Sequence, residues 1–234
     1  MISIKSYKIH FIRNALTQEN IDGKYLGHTD VPLCAQGIDQ LEQLIEQYTY
    51  PKAQVVFCSP LRRCTDTAKM LWPDKEPVPM PDLIEYDFGE FDGRTAEELE
   101  THPLFPRWLA GEPGIDPPFG ESQEVFARRI CAGFEKIVDG MLKSGVESAA
   151  IVTHGGVISA LMSRYALPEA QPHEWITPSG CGYTLSITPS VWMGGRKLEA
   201  QKEIPEPERD FDYERSLWGQ EPLEDDYFDG DYEE

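Results

Sequence analysis

Basic residues are scarce in this sequence. Its 234 residues include 21 Lys and Arg against 41 Asp and Glu, which gives a formal net charge of −20. Nucleic acids and anionic membranes are bound through clustered Lys and Arg, so this balance argues against both kinds of partner. More than half of the excess acid lies in residues 201–234, where 14 acids stand against 3 bases for a net charge of −11.

Cysteine is also scarce. The five residues, none of them in a C-x-x-C pair, are Cys34, Cys58, Cys64, Cys131 and Cys181. An odd number without paired spacing favours reduced thiols in a cytoplasmic protein over a disulfide framework or a zinc site. The five histidines lack ligand spacing as well, so we expect neither a metal ion nor a cofactor.

Long apolar runs are missing. No segment approaches 18 apolar residues, and the beginning of the chain, MISIKSYKIHFIRN, lacks a long apolar run followed by a small-residue cleavage site. We therefore expect neither a membrane span nor secretion. The content of 40% hydrophobic and 11% aromatic residues is enough for a sizeable core. The length fits one domain, predicted over 1–204, followed by an acidic C-terminal tail at 205–234.

Short apolar strands alternate with helical periods along the chain. Strands are predicted over 7–12, 53–57, 149–153 and 183–188. Helices are predicted over 36–48, 59–72, 122–143 and 157–165. In the second of these, Ser59 suits the N-cap and Pro60 the first helical position. The dipeptide Gly194-Gly195, between two β-prone runs, predicts a hairpin turn.

This alternation predicts the α/β class. We expect a three-layer α/β/α sandwich with a mostly parallel central sheet. A Pro- and Gly-rich excursion at about 73–121 is too long for an ordinary connection, so it predicts a cap insertion over the active face.

The residues that follow the predicted strands suit a phosphate ligand. Ligands of an open α/β sheet bind beyond the carboxyl ends of the strands. Guanidinium groups and the N–H groups of a helix N-terminus bind phosphate dianions, so several such strand ends together predict a phosphate site. The residues at three of these ends are Arg13 with Asn14, Ser59 with Arg62 and Arg63, and His154 with two glycines.

Five motifs occur in order between about residues 7 and 165. They are FIRNALTQEN followed by GKYLGHTDVPLCAQG, then CSPLRRCTDTA, LIEYDFGEFDG, FGES and IVTHGG. In order and spacing they resemble the motifs of the histidine phosphatase (phosphoglycerate-mutase-like) superfamily, whose opening signature reads R-H-G. The YLGHTDVPL stretch is similar to that of small bacterial phosphatases of the α-ribazole-phosphatase-like type.

The resemblance implies a role for each matching residue. Arg13, Arg63 and His154 would hold the phosphoryl group, with Asn20 as an additional hydrogen-bond donor. Glu85 would be the general acid that protonates the leaving alkoxide and then the base that activates water. A carboxyl group with this task needs a raised pKa, which burial under the cap would supply.

Two residues of the second motif keep two interpretations each. Ser59 either caps its helix or faces the site. Arg62 either binds phosphate or faces solvent.

The nucleophile position departs from the family pattern. The family's nucleophile is the histidine after the first Arg, and this chain has Asn14 there. An amide nitrogen has its lone pair delocalised into the carbonyl group, so Asn14 binds phosphate but does not attack it. One interpretation is a phosphatase whose nucleophile has been replaced, which leaves an inactive or substrate-trapping chain. The other is a natural pseudophosphatase that serves as a phospholigand-binding sensor or scaffold. Retention of Glu85 favours the first.

The resemblance implies hydrolysis of a small phosphorylated metabolite, through a phosphohistidine in the parent family. Phosphoglycerate mutase activity is the alternative, and the excursion has few basic residues for a second acid group. The expected ligand is a small phosphorylated substrate or inorganic phosphate, and homo-oligomerisation stays open. The cap aromatics either select the substrate or form the cap core; they are Phe88, Phe91, Trp108 and Phe119.

Overall fold

A seven-stranded sheet runs through the computed structural model, which describes residues 6–205 of the chain. The predicted acidic tail therefore lies, apart from Pro205, outside the described residues. Within 6–205, none of the helices has the length and apolar character that crossing a membrane requires.

The order of the strands across the sheet is β3-β2-β4-β1-β6-β7-β5. The neighbours β3-β2, β2-β4, β4-β1 and β7-β5 are parallel, whereas β1-β6 and β6-β7 are antiparallel. The strands are β1 Tyr7–Arg13, β2 Val55–Cys58, β3 Val78–Pro79, β4 Ser148–Thr153, β5 Ala166–Leu167, β6 Gly182–Ile187 and β7 Leu198–Ile204.

Helices cover the sheet and extend the connections between its strands. The longer ones carry apolar residues at helical spacing on the side that faces the sheet. The helices are α1 Gln18–Ile21, α2 Ala35–Gln47, α3 Arg62–Leu71, α4 Ala96–Leu99, α5 Phe105–Leu109, α6 Gln123–Ser144, α7 Gly155–Tyr165 and α8 Pro189–Gly195.

Two apolar cores lie on opposite faces of the sheet. On one face, Phe11 and Ile151 pack with residues of α6 and α7 such as Phe134. On the other, Val152 packs with residues of α3 such as Ala68. Successive strand residues point to opposite faces, so Ile151 and Val152 of one strand enter different cores. The predicted three-layer α/β/α sandwich with a mostly parallel sheet is confirmed.

The excursion at 73–121 departs from the sheet and returns at α6. Its first part contributes β3 to the sheet edge, where Phe57 pairs with Val78. The remainder contains α4 and α5 and has its own small core, formed by Phe91, Leu99 and Phe105. The cap therefore begins after β3 rather than at residue 73.

Two local predictions are wrong. The helix predicted to start at Ser59 begins at Arg62, with Leu61 as its N-cap, so Ser59 is not a helix cap. The hairpin predicted at Gly194-Gly195 is the end of a helix, because Pro189 occupies a first-turn position and Trp192 is buried. That helix ends where Arg196 adopts a left-handed conformation.

Candidate functional site

Three neighbouring parallel strands end side by side and deliver the predicted site residues together. β1 runs into Asn14, whose backbone N–H donates to the carbonyl of Thr153 at the end of β4 (2.8 Å). β2 runs into Ser59, whose N–H donates to Val152 of β4 (2.9 Å). β4 itself runs into His154. The residues after β1, β2 and β4 therefore share one edge of the sheet.

His154 is buried at the centre of this edge. The Nε–H of Arg63 donates to its Nδ1 (3.2 Å), so Nδ1 accepts and the ring proton is on Nε2. Nε2 then donates to the Ser59 hydroxyl oxygen (2.8 Å). Burial lowers the pKa of His154 well below its ordinary value, and the positive charge of Arg63 adds to this effect. The imidazole is therefore neutral with a defined tautomer.

Arg63 is buried, and its guanidinium holds the segment 27–29 as well as His154. Its two terminal nitrogens donate to the carbonyl oxygens of Thr29 (2.8 Å) and Gly27 (2.7 Å). From the other side, the Asp92 carboxylate accepts the backbone N–H of both residues (2.9 Å each). Each terminal nitrogen of Arg63 carries a second hydrogen, so the guanidinium can still donate hydrogen bonds to a phosphate.

Arg13 lies at the end of β1 and is half-buried. One terminal nitrogen donates to the Thr177 carbonyl (2.8 Å). Its guanidinium packs on the first turn of α7, where a Cβ at Gly155 would lie 3.3 Å from Nε of Arg13. Burial lowers the pKa of Arg13 while the Glu85 carboxylate acts in the opposite direction. The guanidinium therefore lies beside the N-terminus of α7, where helix N–H groups favour an anion.

Asn14, at the nucleophile position, is buried. Its side-chain Nδ2 donates to the carbonyl of Ala15 (2.8 Å). An amide nitrogen in this position is a hydrogen-bond donor with no available lone pair. The side chain of Asn14 can therefore donate a hydrogen bond but cannot act as a nucleophile.

Glu85 reaches the site from the loop after β3. Its Oε1 accepts the N–H of Tyr86 and its Oε2 accepts the N–H of Gly156 (2.9 Å each). Only glycine allows this approach, because a Cβ at position 156 would lie 2.5 Å from the carboxylate. Burial raises the pKa of Glu85, and the two N–H donors and the two arginines of the site, Arg63 and Arg13, oppose this effect. A raised pKa suits a carboxyl group that delivers a proton.

Sequence reasoning missed Arg129 of α6. Its terminal nitrogens donate to three backbone carbonyls of the loop that carries Glu85: Asp82 (3.1 Å), Ile84 (2.6 Å) and Glu85 itself (2.7 Å). The same guanidinium pairs with the carboxylate of Glu121, the glutamate of the FGES motif. No local pattern distinguishes Arg129 from the exposed Arg128 beside it, because its partners are 8 and more than 40 residues away.

Asn20 and Arg62 have partners outside the buried cluster. The Asn20 carboxamide oxygen accepts the N–H of Thr17 in the capping box of α1. Arg62 is exposed and lies 3.4 Å from Asp66 one helical turn later, which resolves its two interpretations in favour of solvent. Ser59, by contrast, faces His154.

A cavity of about 420 Å³ adjoins Glu85. Of the four cap aromatics, Phe88 and Trp108 line it, Phe91 is completely buried in the cap core, and Phe119 is 89% exposed. Other apolar walls come from α6 and α7, including Phe126 and Ala160. The four aromatics, which the sequence could not tell apart, therefore have different positions.

The sequence is similar to a known family and to known proteins. The model of the histidine phosphatase superfamily (branch 1) matches residues 9–196. The adenosylcobalamin/alpha-ribazole phosphatase of Escherichia coli (strain K12) is 29% identical over 186 residues, which cover 77% of this chain and 90% of that protein. The phosphoglycerate mutase-like protein 4 of Arabidopsis thaliana is 30% identical over 176 residues, which cover 72% of this chain and 75% of that protein.

The fold is similar to that of solved structures. The crystal structure of the alpha-ribazole phosphatase from Shigella flexneri superposes with a TM-score of 0.71 at 24% identity. The superposition covers 83% of this chain and 94% of that one. The likeness shows a shared fold.

Proposed function

Because this chain belongs to the histidine phosphatase superfamily, we propose that it binds a small phosphomonoester at the shared strand edge and holds it without turnover. The single observation that carries this proposal is Asn14 at the nucleophile position, in a chain that keeps the motif residues Arg13, Arg63, Glu85 and His154. An inorganic phosphate ion would bind in the same place as the phosphoryl group.

The phosphoryl oxygens would accept hydrogen bonds from guanidinium groups and from backbone N–H groups. Arg13 supplies a guanidinium beside the N-terminus of α7, and Arg63 supplies the second hydrogens of its terminal nitrogens. Both ring nitrogens of the neutral His154 are already bonded, to Arg63 and to Ser59. Its Nε2–H would therefore reach a phosphoryl oxygen only by leaving Ser59, and it adds no third charge. Asn20 is proposed as a further donor through its amide nitrogen, since its carboxamide oxygen is already bonded to Thr17.

In a catalytically active form of this site, with a histidine nucleophile, Glu85 would supply the proton to the leaving group. An alkoxide leaving group needs a proton as the P–O bond breaks, and a buried carboxyl group with a raised pKa is a suitable donor. After departure of the alcohol, the resulting carboxylate would activate water. The position of Glu85 over Gly156 brings it to the same helix N-terminus that would hold the phosphoryl group.

Asn14 prevents the covalent step. In the parent family the histidine nitrogen would form a bond to phosphorus while the P–O bond to the alcohol breaks. The carboxamide nitrogen of Asn14 has no free electron pair for this bond. The substrate therefore stays bound and uncleaved, which is the basis of the substrate-trapping proposal.

The pseudophosphatase alternative assigns the same binding site to a sensor or scaffold. Retention of Glu85 favours the replaced nucleophile, because burial of a carboxyl group costs free energy and a long-abandoned active site has little reason to keep it. The mutase alternative is disfavoured by the excursion at 73–121, whose basic residues have local partners: Lys75 with Asp74, Arg94 with the Glu98 carbonyl and Arg107 with Glu112. These three cations therefore do not form a cluster that would bind a second acid group of a substrate.

The test restores the nucleophile. The Asn14→His variant is expected to hydrolyse p-nitrophenyl phosphate about 10³-fold or more faster than the unchanged chain, the scale on which enzymes lose rate without their nucleophile. Asn14→Gln, which moves an amide toward the same place, is the control and should show no gain. No gain in a folded Asn14→His variant would overturn the replaced-nucleophile proposal.

The role of Glu85 is tested in the Asn14→His background. Adding Glu85→Gln should slow hydrolysis of an alkyl phosphate by roughly 10²–10⁴-fold, the usual contribution of a general acid. Hydrolysis of p-nitrophenyl phosphate should fall less, since nitrophenolate departs as an anion without protonation. Equal losses on both substrates would contradict the general-acid role.

A further inference from the structure

Phe119 has a backbone conformation that its side chain does not favour. Its φ is +60°, in the left-handed region where residues with a Cβ are disfavoured and glycine is common. Its ring is 89% exposed, so within the part of the chain that the structure describes it gains almost no apolar contact in return. A strained residue that the fold itself does not use points to a contact outside the fold.

The loop that carries Phe119 is fixed firmly to the segment that follows Glu85. Glu90 donates its N–H to the Pro118 carbonyl (2.9 Å), and Glu121 donates its N–H to the Asp87 carbonyl (3.1 Å). The two backbones touch so closely that a Cβ at Gly89 would lie 2.1 Å from the Pro118 oxygen. Phe119 is therefore presented on a rigid support and not on a freely moving loop.

Both ends of this support lead into the wall of the cavity beside Glu85. Phe88, which precedes the anchoring Gly89, lines the cavity, and so does Gln123, four residues after Phe119. The remaining wall near the acid is aromatic, with Tyr86 and Trp108. The alcohol portion of a phosphomonoester would occupy this cavity, because Glu85 must reach its bridging oxygen.

We infer that Phe119 is a specificity-determining residue that covers the alcohol portion of the substrate at the cavity mouth. The inference rests on the proposed function and adds the substrate class: phosphate monoesters whose alcohol carries a flat apolar group. Such a group would pack on Phe88 and Trp108 inside the cavity and receive the Phe119 ring from outside. The apolar contact with the ligand would then use the surface that the fold leaves exposed.

The experiment uses the full chain with Asn14, which is proposed to bind these ligands without consuming them. Calorimetry measures the affinity for 1-naphthyl phosphate and for inorganic phosphate. Phe119→Ala should weaken naphthyl phosphate binding about tenfold, the order expected for loss of one aromatic contact, and change phosphate binding less than about twofold. Met193→Ala removes another exposed apolar side chain, 75% exposed on α8, and should change neither affinity.

Phe119→Gly separates strain from contact. It should lose the same affinity as Phe119→Ala but raise Tm by about 2–4 °C over the unchanged chain, because glycine adopts the left-handed conformation without a Cβ clash. Equal naphthyl phosphate affinity in all variants, with phosphate binding intact, would overturn the role of Phe119 alone. Failure of the unchanged chain to bind either ligand would overturn the proposed function and this inference with it.

Discussion

Arg63 donates its Nε–H to Nδ1 of His154 across 3.2 Å, so a guanidinium lies beside an imidazole that is neutral. The contact has two effects. It lowers the pKa of His154 further than burial alone, and it fixes the ring proton on Nε2, which points to Ser59. Arg63 is thus a positioning residue for His154 as well as a proposed hydrogen-bond donor to the phosphoryl group.

Arg63→Lys should destabilise the fold. An ammonium group cannot reproduce the three directions in which the buried guanidinium donates, to His154, Gly27 and Thr29. Loss of two such bonds predicts a fall of about 3 kcal/mol in the free energy of unfolding, measured by urea denaturation. The matched control is Arg62→Lys, an exposed neighbour whose guanidinium pairs with Asp66 on the surface of α3, with an expected change below about 0.5 kcal/mol. Equal effects would contradict the assignment.

Arg129→Lys should impair catalysis in the Asn14→His background. The guanidinium holds three carbonyls of the loop that carries Glu85, and lysine would release most of them. Displacement of Glu85 by about 1 Å predicts a fall in kcat of roughly 10²-fold on an alkyl phosphate. The pH profile should change too, because the surroundings that raise the pKa of Glu85 are altered.

The control for that measurement is Arg128→Lys, the exposed residue before it on α6. Its kcat and its pH profile should match those of the Asn14→His protein. If Arg128→Lys and Arg129→Lys lowered kcat alike while leaving the pH profile alone, Arg129 would have a general role in stability and not a positioning role.

His10 should make the fold sensitive to acid. Burial lowers its pKa from 6.5 to about 4, and the charges of Lys8 and Lys202 act in the same direction. Between pH 6.5 and 4 the unfolded chain takes up a proton that the folded chain refuses, so stability is present above pH 6.5 and is lost as the pH falls. The shift corresponds to about 3 kcal/mol at the acid end of this range.

The measurement is the free energy of unfolding of the unchanged chain and of His10→Gln from pH 7.5 to pH 4. The glutamine side chain keeps hydrogen-bonding atoms for Thr184 and Ser148, the two partners of His10, and does not titrate. The unchanged chain should lose about 3 kcal/mol more than the variant. Parallel curves would show that His10 does not carry this sensitivity. His154, whose pKa is also lowered, acts in the same direction in both proteins.

The sequence was sufficient to place the strand-end residues. Arg13, Ser59 and His154 could be assigned to one edge because parallel strands all present their carboxyl ends there, and this needs only the strand pattern. The neutral state of His154 and the support of Glu85 by Arg129 could not be read from the sequence. Both depend on contacts between residues more than 40 positions apart.

The local errors have a similar cause. Ser59 has the composition of a helix cap, but its hydroxyl bonds to His154 and the helix starts three residues later. Gly194-Gly195 has the composition of a hairpin turn, but burial of Trp192 against the α6 and α7 side of the sheet favours a helix up to Gly195. In both places tertiary contacts outweigh a two-residue signal.

The hydrogen bonds from Arg63 and Asp92 to residues 27–29 have a consequence for folding. Arg63 reaches back 34 and 36 residues to Thr29 and Gly27, and Asp92 reaches back 63 and 65 residues to the same pair. Loops of such length must close before these bonds form, and contacts distant in sequence are slow to be made. Residues 27–29 are therefore held in place only when segments 34 to 65 residues apart in the chain have come together, so phosphate binding that depends on Arg63 is expected to report the native tertiary structure rather than an earlier collapsed state.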